Sequence, residues 1–211
     1  MKTLIAIPCM DQVSVIFTQC LLDLTKPDDT KVCFKPGSLV YDARNLLTLT
    51  AIEQNFDNVL WIDSDMQFRS DLLERLLTDM QDTGADIVAP VCFKRVMPTK
   101  PVIYTRIDPP GKNADGQLVS QVDDYMDYPQ DQIFPVAGCG FGICMTSVNI
   151  LKRVWEKFGP AFSPLPWASE DISFCWKATQ AGGKICADSR IKTGHVGQAI
   201  FTEELYLRNR G

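Results

Sequence analysis

The run Asn58-Val59-Leu60-Trp61-Ile62, followed at once by Asp63-Ser64-Asp65, constrains this chain more than any other stretch. A continuous apolar run bounded by polar residues reads as a strand buried on both faces. Side chains alternate along a strand, so two acids one residue apart at its carboxyl end are expected on the same side. Paired hard oxygen ligands suit a divalent cation such as Mg or Mn, usually one that also carries a phosphate. In open α/β sheets the ligand crevice lies just outside the carboxyl ends of the strands. A lone Asp-x-Asp is also met as a turn cap beside a solvated acid, so the rest of the chain has to decide.

The flanking segments alternate. Thr3 to Pro8 reads as a first buried strand, and Asp11 to Leu24 carries Val13, Phe17, Cys20, Leu21 and Leu24 at helical spacing. Lys26-Pro27-Asp28-Asp29 is turn chemistry, Lys31 to Phe34 a short strand, and Pro36-Gly37 its stop. Ser38 is placed to cap a helix whose stripe is Leu39, Ala43, Leu46, Leu47, Thr50 and Ala51. After the aspartates, Ser70-Asp71 opens a helix with Leu72, Leu73, Leu76, Leu77 and Met80 as its stripe and Gly84 as its stop. Asp86 to Val91 is a fourth strand. This order predicts an α/β fold, a mostly parallel sheet with right-handed crossovers. No Gly-x-Gly-x-x-Gly follows the first strand, which argues against a dinucleotide oxidoreductase.

The second half reads differently. Lys94 to Gln132 has several prolines, an Asp115-Gly116 turn and short β-like pieces at Val102 to Thr105 and Gln117 to Val122, which predicts a small β-rich insertion. Its basic group, Lys94, Arg95, Lys100, Arg106 and Lys112, reads either as a solvated face or as contacts to an anionic ligand. Phe134 to Met145 is an apolar, glycine-rich strand, where glycines mark either close packing or close approach of backbone to a ligand. Ser147 to Phe158 is a helix with Leu151, Val154, Trp155 and Phe158 on one face. A loop ending in Trp167 leads to Ser169, which caps a helix from Glu170 to Ala181, and Gly182-Gly183 ends it. Lys184 to Ala187 is a strand, and the single histidine follows in Thr193-Gly194-His195-Val196-Gly197.

A length of 211 residues suits one domain or one with a small appendage. A formal net charge of -5 leaves no overall nucleic-acid footprint. The amino-terminal apolar run is too short for a signal peptide, and no stretch is long enough to span a bilayer. The 8 cysteines are scattered, mostly within apolar runs, with no Cys-x-x-Cys pair. Buried free thiols in a reducing cytoplasm is the expectation, rather than zinc or disulfides.

Taken together, these motifs resemble the GT-A fold (Rossmann-like, nucleotide-diphospho-sugar transferases), nearest in layout to its family-2-type glycosyltransferases. The likeness rests on Ile7-Pro8 ending the first strand, Ala43-Arg44-Asn45, Asp63-Ser64-Asp65, the glycine-rich strand, Trp167 with Glu170-Asp171, and one late histidine. It implies one catalytic domain: residues 1–91 the nucleotide-binding half, 92–197 the acceptor-side half and 198–211 a tail. It implies that Asp65 and His195 hold Mn2+ or Mg2+, with Asp63 assisting or binding the ribose. It implies a donor pocket lined by Pro8, Cys9, Arg44, Asp63 and Ser64, with Arg44 near the phosphates or base. Asp171 would be the general base of an inverting transfer, Glu170 would assist it or orient acceptor hydroxyls, and Trp167 and Gly140 would meet the acceptor. Each has a plainer alternative: two acids in a first helical turn suit the helix dipole, and a tryptophan or lone histidine is often structural.

One departure stands out. Many relatives carry an acidic residue after the second strand that reads the base, and here Lys35-Pro36-Gly37-Ser38 takes that place. UDP-sugar is therefore only the commonest choice of donor, with GDP-sugar open. The acceptor hydroxyl is left open: a glycan, a lipid-linked sugar, a protein, a small metabolite or a modified nucleobase. Both stereochemical outcomes occur on this fold. The rival readings are a nucleotidyltransferase, which would show a glycine-rich basic loop after the first strand, and a sugar-nucleotide or glycan-binding module without turnover.

Overall fold

The computed structural model describes residues 1–197 and 200–208. Five segments in the first part of the chain set the frame: β1 (Thr3–Cys9), α1 (Val15–Asp23), β2 (Thr30–Pro36), α2 (Val40–Glu53) and β3 (Asn58–Ile62). They are followed by β4 (Met66–Gln67), α3 (Leu72–Thr83) and β5 (Ile87–Pro90). A hairpin of β6 (Ile103–Lys112) and β7 (Leu118–Asp124) precedes β8 (Ile133–Pro135), β9 (Gly138–Cys139) and β10 (Ile143–Ser147). The rest is α4 (Val148–Phe158), α5 (Glu170–Gln180), β11 (Ile185–Asp188), β12 (Gly194–Val196), β13 (Ile200–Thr202) and α6 (Glu203–Arg208).

The main sheet runs β2-β1-β3-β10-β5-β11-β8. β2, β1, β3, β5 and β11 run one way; β10 and β8 are antiparallel to their neighbours. The mostly parallel α/β sheet expected from the alternation is therefore present. Alternation along β3 explains its unbroken hydrophobicity. Val59 and Trp61 face a core layer with Leu47, Ala51, Leu151 and Phe174, while Leu60 and Ile62 face a second layer with Phe17, Leu72 and Leu76. Trp61 is fully buried, and its indole N–H donates to Thr146 Oγ1 at 3.0 Å.

Several local expectations need correction. The helix expected from Asp11 begins at Val15, because the Ser14 hydroxyl accepts from Phe17 N, and Val13 stays exposed. Ser38 does not cap α2, whose N-cap is Leu39 without a side-chain bond. Leu39 and Leu46 face solvent, and Arg44 and Thr48 take their place on the buried face. The glycine-rich segment is not one strand. It splits into β8 at the edge of the main sheet, β9 against the hairpin and β10 between β3 and β5. Gly138 permits this, since a Cβ there would lie 2.4 Å from Ile107 Cδ1. The tail contributes β13, α6 and the buried Phe201 and Tyr206, while 198–199 and 209–211 lie outside the described residues. The cysteines are free thiols, and among the described residues no helix is long and apolar enough to cross a membrane.

One buried carboxyl pair away from the clefts has a measurable consequence. Asp79 on α3 and Asp188 at the end of β11 share Arg190, which donates to both at 2.7 and 2.9 Å. Burial and the neighbouring Asp188 push the Asp79 carboxyl up to about 7, while hydrogen bonds hold Asp188 below the usual range against its burial. Asp79 Oδ2 is buried with no hydrogen-bond partner, which suits the neutral carboxyl that its raised pKa favours. A carboxyl whose folded pKa is raised supports folding below its unfolded pKa and loses that support as pH rises through its folded value. Asp79→Asn cannot ionise, so its advantage over the parent should grow by about 2 kcal/mol between pH 5 and pH 8. Urea denaturation at the two pH values measures this, and an advantage independent of pH would contradict the raised Asp79 pKa.

Candidate active site

The chain turns sharply after β3. Asp63 N–H donates to the Gly142 carbonyl at 2.8 Å, and Asp63 O accepts from Met66 N at 3.2 Å. Asp63 and Asp65 therefore sit in a turn, not on successive outward positions of one strand, and their carboxylates diverge. Asp63 points inward to Arg44 Nη2 at 2.9 Å. Asp65 points the other way, with Oδ1 3.3 Å from His195 Nε2 and Oδ2 2.8 Å from Arg95 Nη1.

A second, three-stranded sheet delivers the histidine. Its order is β13-β12-β4, with His195 opposite Met66 in the antiparallel β12–β4 pair and Val196 N–H donating to the Asp65 carbonyl at 2.8 Å. His195 Nδ1 lies 2.9 Å from the Phe93 carbonyl, which fixes it as the N–H donor. Nε2 then presents a lone pair to a carboxylate oxygen. Two acceptors facing each other need a proton or a cation between them. With a proton there, the hydrogen bonds to Asp65 and the Phe93 carbonyl outweigh burial, so the imidazole titrates above its ordinary value. Asp65 is held below its ordinary value by His195 and Arg95 in spite of burial.

The pair also fits a divalent ion. Ligands about 2.1 Å from a six-coordinate ion and at right angles stand about 3.0 Å apart, close to the observed separation. A backbone carbonyl on the far ring nitrogen is the usual outer support of a metal-binding histidine. Among the described residues no group of three or more His, Cys, Asp or Glu converges on one such point. Asp65 and His195 would thus hold an ion only with oxygens supplied by a ligand or water, the arrangement usual for phosphate-borne Mg and Mn. Asp63, expected to assist, has one oxygen committed to Arg44. Burial pushes its carboxyl up to about 6, with Arg44 pulling the other way.

Arg44 departs furthest from expectation. It is 2% exposed, and its guanidinium donates to Glu170 Oε1 at 2.7 Å, Asp63 Oδ1 at 2.9 Å and the Phe141 carbonyl at 3.3 Å. Its carbon lies 5.4 Å from the Phe141 ring centroid. So enclosed, the guanidinium joins the Asp63 turn to the start of α5, and it lines the inner of two clefts rather than the outer one beside Ser64 and Asp65. Burial disfavours its charge, but Asp63, Glu170 and Asp171 outweigh that and raise its pKa.

Two clefts meet at Asp63 and His195. The outer, about 230 Å3, is lined by Pro8, Cys9, Ser64, Asp65 and Arg95 among others. The inner, about 150 Å3, is lined by Arg44, Gly140, Glu170 and Asp171 among others. Asp171 Oδ1 is held by Ser169 Oγ and by Ile172 N–H at 2.8 Å. Its Oδ2 lies on the Gly140 side, 3.7 Å from where a Cβ on Gly140 would stand, and Asp171 and Gly140 line the inner cleft together with Val102. Trp167 is not brought into either cleft. It packs edge-on against Trp176, with centroids 6.0 Å apart. A larger cavity, about 720 Å3, lies by β4, β12 and α6 and is lined by none of the expected donor or base residues. Arg95 and Phe93 were not singled out in the sequence. Only the basic group around Arg95 hinted at them, and of that group Arg95 alone lines the outer cleft.

Comparison with known proteins agrees on architecture. The Anp1 family model matches residues 37–106, the span from the start of α2 through the aspartate turn to β6. No curated protein sequence matches the chain. Among solved structures, A197 from STIV is similar at 18% identity with a TM-score of 0.61, over 94% of this chain and 87% of that one. GalNAc-T7, solved with UDP, GalNAc and Mn2+, is similar at 11% identity with a TM-score of 0.60, over 93% of this chain and 43% of that longer one. The fold is that of a GT-A glycosyltransferase.

Proposed function

We propose that this chain is a metal-dependent glycosyltransferase, moving a sugar from a nucleoside diphosphate to an acceptor hydroxyl with inversion. The observation that carries the reading is the pairing of Asp65 with His195 beside an outer cleft that opens at Asp63 onto an inner cleft holding Asp171. The glycosyltransferase-like fold and the Anp1 likeness support transfer in general.

Pro8, Cys9 and Ser64 would form the floor on which the nucleotide lies. Asp65 and His195 Nε2 would hold the cation, whose positive charge, when bound, neutralises the donor's diphosphate. Asp171 Oδ2 would take the proton of the acceptor hydroxyl as that oxygen attacks the anomeric carbon, and Glu170 would keep the start of α5 in place through Arg44. Trp167 would reach an acceptor only beyond the inner cleft.

A thermal-shift panel tests the reading as a whole. UDP-sugars and GDP-sugars are included, the latter because Anp1 is a mannosyltransferase family. A donor at a hundred times its Kd should add about 2.7 kcal/mol, or roughly 5–10 °C for a chain this size, with Mn2+ and much less without it. No shift from any nucleotide sugar, with or without Mn2+, would remove the proposal.

A further inference from the structure

Arg95 stands where a cation at Asp65 would meet its strongest competitor. Its guanidinium lies 2.8 Å from Asp65 Oδ2, on the carboxylate whose other oxygen faces His195. It sits on a short loop whose base is closed tightly. Phe93 bridges Pro101, Lys94 N–H donates to the Lys100 carbonyl at 2.9 Å, and the Thr99 hydroxyl donates to the Lys94 carbonyl at 2.6 Å. Phe93 is buried, and its carbonyl is the one that orients His195. The loop tip is the opposite: Val96 and Met97 are exposed, and half of the Arg95 side chain is in solvent. A rigid base thus carries a solvated arginine over the outer cleft.

That ion pair is weak and replaceable. A half-solvated arginine holds a carboxylate only loosely, whereas a divalent ion held by the same carboxylate and the imidazole brings two charges to it. Once such an ion sits on Asp65, Arg95 is repelled from it. Arg95, Asp65 and His195 line the same outer cleft of about 230 Å3, so a ligand held there on the ion lies beside the guanidinium. A diphosphate sharing the cleft with the ion offers peripheral oxygens that match the planar guanidinium fork two at a time.

We propose that Arg95 exchanges partners: it covers Asp65 in the empty protein and, on loading, moves to the donor's diphosphate, where it supports that group's negative charge. This rests on the donor class given above and adds a residue and an order of events to it. The exchange has an unusual signature, because removing one side chain should strengthen one ligand and weaken another.

Calorimetric titration of the full chain with Mn2+ alone, then with UDP and GDP at saturating Mn2+, reads both. In Arg95→Ala, Mn2+ alone should bind about two- to fivefold more tightly, since its competitor is gone. The better-bound nucleoside diphosphate should bind about 10- to 100-fold more weakly. Arg95→Lys should fall between, keeping the charge but losing the fork. Unchanged diphosphate affinity in Arg95→Ala would overturn the exchange and leave Arg95 a solvated partner. Weaker Mn2+ binding would overturn it too, making Arg95 a support for Asp65. A parent protein that binds Mn2+ but neither diphosphate would instead remove the donor reading, and the exchange with it.

Discussion

Asp171→Asn should bind a nucleotide sugar and Mn2+ as the parent does and transfer the sugar about 100- to 10,000-fold more slowly. The carboxylate geometry motivates both halves of this expectation. Oδ1 is occupied by Ser169 and Ile172 N–H, while Oδ2 lies on the side of Gly140, which lines the inner cleft with Asp171. An asparagine keeps the size and can keep an acceptor oxygen toward Ile172 N–H, so the start of α5 is retained. What it cannot do is accept a proton.

The plain alternative is that Asp171 merely favours the helix dipole at the start of α5. The two differ in what they disturb. A dipole residue contributes about 0.3–1 kcal/mol of stability and nothing to the rate of a bound complex. The measurement is therefore single-turnover transfer with donor and acceptor both saturating, beside a denaturation curve. A rate within threefold of the parent, with a Tm a few degrees lower, would assign Asp171 to the helix and not to the chemistry. Ser169→Ala is the companion variant. Freeing Oδ1 should cost far less, since the oxygen assigned to the acceptor proton is the other one.

Much of the frame was legible because it depends on local pattern. β3 announces itself as an unbroken apolar run because both of its faces are covered, and α3 because Leu72, Leu73 and Leu76 share one face above Gly84, whose left-handed φ of 63° ends the helix. What escaped depends on pairings between distant segments. β4 is two residues long and has no periodicity to read; its partner β12 lies far along the chain, yet that pair is what sets His195 beside Asp65. Arg44 shows a different limit. A charged residue in a helical stripe reads as solvent-facing, and only the positions of Asp63 and Glu170 reveal that its face is buried. The glycine run reads as one strand because sequence does not show which of three neighbours each piece will join.

Arg44→Ala should be among the most destabilising single changes available outside the apolar core, costing about 3–5 kcal/mol. The arginine holds α2, the turn after β3 and the start of α5 together, through bonds to Glu170, Asp63 and the Phe141 carbonyl. Removing it leaves two carboxylates facing a cavity under the Phe141 and Phe162 rings, without a counter-charge. Asp63 and Glu170 keep some solvent access, which places the cost toward the lower end of that range. Arg44→Lys should recover little, since one ammonium cannot span two carboxylates on different elements. The diagnostic comparison is a mutant cycle by urea denaturation in which the two acids are changed together. Asp63→Asn with Glu170→Gln should recover more than half of the loss in an Arg44→Met background, because a neutral cluster has no unpaired charge left to bury. If the costs simply add, the carboxylates are solvated independently of Arg44. The guanidinium then acts through packing on the aromatic rings, and the link it makes between the cation-side turn and the base-side helix carries no electrostatic coupling.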